Sequence, residues 1–234
     1  MNNKYVLTDE TIDFLGRTLY RIKAISDFGN IKTGKLGGFI ENEKNLSVSG
    51  DAWVSDNAMV YGDAELSDNA MVYGDARVYG NAKIYGDAKV YGNARVYGDA
   101  EIYGDAEIYG DARGYGDAWV SDNAMVYGDT RVYGNAKIYG DARVYSNARV
   151  YGDAEIYGDA RVSGDADYTT IKGFGTVCRT TTFFRCIDGK VRVTCGYFYG
   201  TIPEFREYVK KTREGKIAEE YLMIADLMEL HFKK

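Results

Sequence analysis

Five arginines recur at intervals of 18 residues, and each is followed two positions later by a tyrosine. The arginines are Arg77, Arg95, Arg113, Arg131 and Arg149, and their tyrosines include Tyr79, Tyr97, Tyr115 and Tyr133. A guanidinium presents a planar fork of donors that suits phosphate and carboxylate groups. A tyrosine ring offers a face on which bases or guanidinium planes stack. If this spacing places the side chains next to one another, they form a binding surface for an anionic partner.

These residues belong to a six-residue repeat that reads Ala-x-Val-Tyr-Gly-Asp/Asn. From Val48 to Val162 an aliphatic residue occupies every sixth position except Gly114, which we interpret as a tolerated defect. Side chains alternate faces in a strand, so Ala and Val point inward while x and Tyr point outward. Gly-Asp and Gly-Asn then turn the chain. Three units predict one triangular coil, and 20 units predict nearly seven stacked coils. An antiparallel meander fits the alternation less well, because such short strands fix their register poorly.

Every third unit shares a face of the predicted prism, which defines three walls by their x positions. Wall 1 carries Ser47, Glu65, Lys83, Glu101, Trp119, Lys137 and Glu155. Wall 2 carries Trp53, Met71, Lys89, Glu107, Met125, Arg143 and Arg161. Wall 3 carries Met59 and the five arginines, which we call the arginine column, beside tyrosines from Tyr61 to Tyr151. Three interpretations of the column stay open: stacking with neutralisation by Asp75, Asp111 and Asp129, a protein interface, or a nucleotide or nucleic-acid surface.

The distribution of charge limits the choice of partners and location. Residues 47–166 contain 20 acidic and 10 basic residues, and the rest of the chain contains 15 and 19. This acidic middle opposes bulk binding to nucleic acid or to anionic membranes. The sequence shows neither an apolar signal segment nor a stretch of about 18 apolar residues. Together with an odd number of cysteines, this predicts a cytoplasmic protein with reduced thiols.

Three segments are predicted, because a stack of coils exposes strand edges that need caps. They are an N-terminal cap (1–46), the repeat (47–166) and a C-terminal α+β module (167–234) for oligomerisation or partner docking. Strands are expected over 5–15, 18–28, 180–184, 190–195 and 196–199. Helices are expected from Pro203 and over 217–232.

The repeat resembles hexapeptide-repeat proteins, whose coils form a left-handed parallel β-helix. The segments Leu15–Ala24, Gly37–Glu41, Thr180–Phe184 and Gly200–Phe205, with the Asp188-Gly189 turn, resemble hexapeptide-repeat proteins of phage and prophage genomes. Those proteins are described as transferases or polymer-forming proteins on fold analogy. The resemblance implies an all-β solenoid that forms homo-oligomers, with a trimer favoured. It also implies a phage-encoded protein in the host cytoplasm that binds a host protein or a nucleotide, as an inhibitor of host defence would.

The same resemblance raises an enzyme alternative, an acyl-CoA-dependent acyltransferase. Such enzymes use a histidine as general base and a loop extruded from the coils. The repeat has no histidine and no insertion, and the one histidine, His231, falls in the last predicted helix. The spacing of Cys178, Cys186, Cys195 and His231 matches no metal-ligand pattern. We therefore predict a binding or scaffold protein with no catalytic residue, cofactor or metal.

Overall fold

The computed structural model describes residues 2–233, which form a long parallel β-solenoid with a cap at each end. The N-terminal cap contains β1 (Tyr5–Phe14), β2 (Arg17–Ala24), β3 (Leu36–Ile40) and a short 3-10 turn (Glu43–Asn45). The solenoid strands, in chain order, are β4 (Trp53–Val54), β5 (Met59–Val60), β6 (Glu65–Leu66), β7 (Met71–Val72), β8 (Arg77–Gly80), β9 (Lys83–Ile84), β10 (Lys89–Val90), β11 (Arg95–Gly98), β12 (Glu101–Ile102), β13 (Glu107–Ile108), β14 (Arg113–Gly116), β15 (Trp119–Val120), β16 (Met125–Val126), β17 (Arg131–Tyr133), β18 (Lys137–Ile138), β19 (Arg143–Val144), β20 (Arg149–Val150), β21 (Glu155–Ile156) and β22 (Arg161–Val162). The C-terminal module contains a 3-10 turn (Asp165–Asp167), β23 (Tyr168–Phe174), β24 (Arg179–Arg185), β25 (Val191–Cys195), β26 (Phe198–Thr201), α1 (Ile202–Thr212) and α2 (Gly215–His231).

Solenoid strands pair in parallel with strands 18 residues away along the chain, which makes three sheets. Backbone amides of one coil donate to carbonyls of the next, as from Arg77 N to Ala94 O at 2.9 Å. The alanines and aliphatics of the repeat are buried along a continuous core. The predicted β-solenoid is therefore confirmed. At the inter-strand spacing of about 4.8 Å, the prism is on the order of 30 Å long.

Glycine at the corners is required by both conformation and space. Gly98 has a φ of 75°, in the left-handed region where side chains are strained. A Cβ there would lie 2.9 Å from the backbone nitrogen of Gly116 in the next coil. In some repeat units an aspartate occupies the position of this glycine, and its carboxylate accepts a hydrogen bond from a backbone amide of the next coil. Asp68 Oδ2, for example, accepts from Gly86 N at 3.0 Å.

Asparagines at the corners donate to the aspartate of the next coil. The bonds join the Nδ2 of Asn57, Asn69, Asn81, Asn93, Asn123 and Asn135 to the Oδ1 of Asp75, Asp87, Asp99, Asp111, Asp141 and Asp153. These six bonds run along all three edges of the prism. They explain why Asn and Asp alternate irregularly at the last position of the repeat.

The first coil departs from the predicted register. Leu46 is buried and bridges Leu66, whereas Val48 is 46% exposed. Two additional residues therefore separate this coil from the regular repeat, and Ser47 does not occupy an x position of wall 1. The prediction for Val48 and Ser47 is wrong, because Leu46 is larger and fills the core beside the cap.

The caps extend the sheets and cover the core at both ends. β1 and β2 form the predicted strand pair, which is antiparallel, although β2 ends at Ala24 and not at Phe28. β3 continues their sheet into wall 3 by pairing in parallel with β5. At the other end, Phe184 of β24 enters the solenoid core, while the adjacent Phe183 packs with α1 and α2 in a separate core. This alternation along one strand joins the module to the solenoid. The sequence did not predict β23, which pairs with β24.

Both predicted helices are confirmed. Thr201 and Glu204 form a capping box at the start of α1, with Pro203 in its first turn. The apolar positions of α2, including Tyr221 and Met228, are buried.

Candidate functional site: the arginine column

The arginine column is assembled by β8, β11, β14, β17 and β20, which lie side by side in wall 3. The register pairs Arg77 with Arg95, Arg95 with Arg113, Arg113 with Arg131 and Arg131 with Arg149. This placement follows from the repeat, because three six-residue units return the chain to the same wall. The sequence prediction of one continuous column is confirmed.

The guanidinium groups of the column form no ion pair with a carboxylate in residues 2–233. Ion pairs on the other two walls join Lys89 to Glu107 and Lys137 to Glu155. Two of the aspartates expected to neutralise the column are instead engaged along their own edge, since Asp75 and Asp111 accept from asparagine amides. The guanidinium donors of the column therefore remain available to a partner.

A shallow groove runs between the column and the adjacent edge. It has a volume of about 240 Å³ and is lined by Arg77, Arg95 and Arg113 together with Asp75, Asn93 and Asp111. The aspartates reduce the positive potential on this side. The strongest positive field is therefore expected over the outward ends of the guanidinium groups.

The N-terminal end of the column is covered by the cap. The guanidinium of Arg77 lies 4.8 Å from the ring centroid of Phe14, and that ring packs edge-on against Tyr61. Arg77 is half-buried as a result, whereas Arg95, Arg113, Arg131 and Arg149 are exposed. Four arginines thus form the accessible part of the column.

The tyrosines beside the column stack on one another. The centroid distances from Tyr79 to Tyr97, Tyr97 to Tyr115 and Tyr115 to Tyr133 are 4.8, 4.9 and 5.0 Å, with nearly parallel planes. Both faces of each inner ring are occupied, so a base cannot stack there without displacing a ring. Burial raises the pKa of Tyr79 and Tyr97, and the neighbouring arginines oppose that rise. The inner tyrosines therefore expose only their edges to a partner.

Stacked tyrosines also occur on the other two walls, so they are not specific to wall 3. Wall 2 carries a continuous column from Tyr73 to Tyr145. On wall 1 the column is interrupted at Ser121, and Trp119 packs edge-on against Tyr103 while its Nε1 donates to Glu101 at 2.9 Å. The feature that distinguishes wall 3 is its unbroken set of arginines.

Other residues considered for chemistry lie outside the solenoid. His231 is exposed at the end of α2, Cys178 is exposed, and Cys186 is buried, where burial raises the pKa of its thiol to about 11. Among the residues described, no three His, Cys, Asp or Glu side chains converge as metal ligands. Over the same residues, neither helix has the length and apolar composition to cross a bilayer.

Comparison with protein families gives one match, and it falls within the solenoid. The family described as the YdcK beta solenoid repeat matches residues 66–80, 88–104, 118–134 and 136–152. The chain is a β-solenoid repeat protein. A comparison with curated proteins gives no match. The matched segments include Arg77, Arg95, Arg131 and Arg149 but not Arg113, and they leave out both caps.

Proposed function

We propose that this protein is a non-enzymatic binding protein, and that the arginine column docks an acidic surface of a partner protein. The observation that carries the proposal is the set of four exposed arginines in register, none of which forms an ion pair within residues 2–233. Arginines in this state retain their full donor capacity for carboxylates.

The geometry favours a protein over a nucleic acid as the partner of the column. The arginines repeat at the strand spacing of about 4.8 Å, and carboxylates on adjacent strands of a partner's sheet repeat at the same distance. The tyrosine faces that would have held bases are occupied by neighbouring rings. The acidic remainder of the solenoid also repels a phosphate backbone.

The resemblance to phage and prophage repeat proteins motivates the identity of that partner. We propose a host defence protein that is inhibited when the column covers its acidic surface. A homo-oligomer, with a trimer favoured, would present several columns at once and raise the overall affinity through a high effective concentration.

A charge-reversal experiment tests the arginine column. Poly-L-glutamate serves as a defined acidic probe, with affinity measured by titration calorimetry at low and at physiological ionic strength. Wild-type protein is expected to bind in a salt-dependent manner, and the triple variant Arg95→Glu/Arg113→Glu/Arg131→Glu is expected to lose binding. The matched control is Lys83→Glu/Lys89→Glu/Lys137→Glu, which changes net charge equally on the other two walls. Equal loss of binding in both variants would refute a role specific to the column.

The acyltransferase alternative makes a different prediction. An enzyme would turn over acyl-CoA and would lose activity after a single substitution at its centre. Binding by the column should instead weaken progressively as more of its arginines are replaced. A stepwise series through Arg95, Arg113 and Arg131 separates the two.

A further inference from the structure

The three tyrosine columns end in different ways at the C-terminal module. On wall 3 the last ring, Tyr151, packs edge-on against Tyr168 at a centroid distance of 6.4 Å. On wall 1 the last ring, Tyr157, stacks on Tyr199 at 4.6 Å. On wall 2 the last ring is Tyr145, which stacks on Tyr127 at 5.3 Å on one side. No aromatic ring of residues 2–233 stacks on its other side.

The open face of Tyr145 results from a break in the repeat. Val144 pairs with Val162, and Tyr145 N donates to Val162 O at 2.9 Å, so Ser163 occupies the next position of the column. Its side chain turns toward Asp167, to which the hydroxyl donates at 2.5 Å. One aromatic ring is therefore missing from the stack, and its absence leaves a space of that size.

A cleft of about 570 Å³ occupies this place, between wall 2 and the C-terminal module. Its lining includes Tyr145 and Ser163 of wall 2, Phe232 of the module, and the side chains of Arg161 and Arg185. A volume of this size lies within the range of small-molecule sites. The similar break at Ser121 has a different outcome, because Trp119 packs beside Tyr103 at that position.

The two arginines of the cleft are held in place by backbone carbonyls. Arg161 Nη1 donates to Asp141 O at 2.9 Å and to Ala160 O at 2.7 Å. Arg185 Nη2 donates to Phe232 O at 2.9 Å, and its Nε lies 3.3 Å from Asp167 Oδ1. The lining of the cleft thus contains two guanidinium groups and one carboxylate, that of Asp167, which leaves an excess positive charge. Because the side chains are already anchored, less conformational entropy is lost when they bind an anion.

We infer that this cleft binds a small ligand of the nucleoside monophosphate class, with its base stacked on Tyr145 and its phosphate held by Arg161 and Arg185. The base takes the position of the tyrosine ring that Ser163 lacks. Stacking needs one free aromatic face. No ring of residues 2–233 packs on the outer side of Tyr145, whereas the last ring of each of the other two columns contacts a further tyrosine. The guanidinium groups supply the donors that phosphate prefers. This site lies away from wall 3 and does not depend on the proposed role of the arginine column.

Calorimetric titration with adenosine monophosphate tests the inference directly, with adenosine and ribose 5-phosphate as partial probes. One molecule of the nucleotide is expected to bind per chain, and each partial probe should bind more weakly. Absence of saturable binding at millimolar nucleotide overturns the inference. Adenosine that binds as tightly as the nucleotide overturns the role of the two arginines.

The decisive variant fills the cleft with a side chain of the protein itself. Ser163→Tyr should continue the column, keep the fold as judged by circular dichroism, and abolish binding. Ser67→Tyr, at the opposite end of the wall 1 column, adds the same ring elsewhere and should bind normally. A folded Ser163→Tyr protein with wild-type affinity overturns the inference.

Removing the stacking face gives an independent measurement that does not depend on Ser163→Tyr folding. Tyr145→Ser should weaken binding by roughly 5- to 150-fold, as expected for the loss of one base–aromatic stack. Tyr127→Ser removes the adjacent ring of the same column and should leave the affinity within roughly twofold, because stacking on the open face of Tyr145 is unchanged. Equal effects of the two substitutions overturn the inference. The triple arginine-column variant should keep full affinity, which separates this site from the proposed function.

Discussion

Replacing Gly114 by alanine should stabilise the solenoid, because this glycine occupies a core position where every neighbouring coil has an aliphatic side chain. Gly114 lies between Val96 and Val132 in the register, and both valines are fully buried. A Cβ at Gly114 would meet only Ile108 Cδ1, at 3.5 Å, which is an ordinary van der Waals contact. The added methyl group therefore fits without displacing its neighbours.

The magnitude follows from two contributions. Burial of one methyl group stabilises by about 0.8 kcal/mol, and the loss of glycine's freedom in the unfolded chain adds about 0.4–1 kcal/mol. At about 2–4 °C per kcal/mol for a chain of this size, the Tm should rise by roughly 2–8 °C. Differential scanning calorimetry measures this shift.

Gly116 provides the matched control, two residues along the same strand. Its φ is 70°, and a Cβ there would lie 3.1 Å from Gly134 N. Gly116→Ala should therefore lower the Tm, with a cost of about 1–2 kcal/mol from the left-handed backbone alone. A Tm for Gly114→Ala equal to or below that of the wild type would refute the reasoning, since it would mean that the core at this position has no room for a methyl group.

Three further outcomes are expected. Burial and nearby carboxylates raise the pKa of Tyr85 and Tyr157 to about 12. The unfolded chain therefore loses these protons at lower pH than the folded chain, and the Tm should fall as the pH rises from about 10 toward 12. An unchanged Tm at pH 11 would contradict this prediction. Asn45→Ala should destabilise the fold by about 2–4 kcal/mol, because the buried amide donates to Gly62 O and Ala64 O at 3.0 and 2.9 Å. Chemical denaturation measures the loss of unfolding free energy, and the control substitution Asn93→Ala, at an exposed corner, should cost under about 1 kcal/mol. Native mass spectrometry should show a homo-oligomer, and a monomer at all concentrations would reject the predicted assembly.

The parts of the fold that the sequence predicts are those set by the period of the repeat. Inward valine and alanine, outward arginine and tyrosine, and a corner glycine in each unit leave one way to stack the coils. The register of the arginine column follows directly, because Arg95 and Arg113 are three units apart. The sequence predicts the caps only in outline. The strand β23, for example, depends on pairing with β24, which the local sequence does not specify.

The sequence predicts less well which neighbour a polar side chain contacts. Asp75 lies two positions before Arg77, which suggested an ion pair, yet its carboxylate accepts from Asn57 in the preceding coil at 3.2 Å. Asp75 lies at the corner before β8, and the closest neighbour of a corner residue is the corner residue of an adjacent coil. An 18-residue interval between Asn and Asp, repeated six times, was the signal that would have identified these bonds.

A regular wall and a break in a wall suit different partners. A small ligand on the arginine column would find several equivalent positions, so its binding would be weak and of variable stoichiometry. An extended acidic surface would instead engage many arginines together. The position of Ser163 occurs once per chain, beside an open tyrosine face and two anchored arginines, so a ligand there should bind with a stoichiometry of one. Stoichiometry and the response to stepwise substitution therefore distinguish the two surfaces, even if both bind anions.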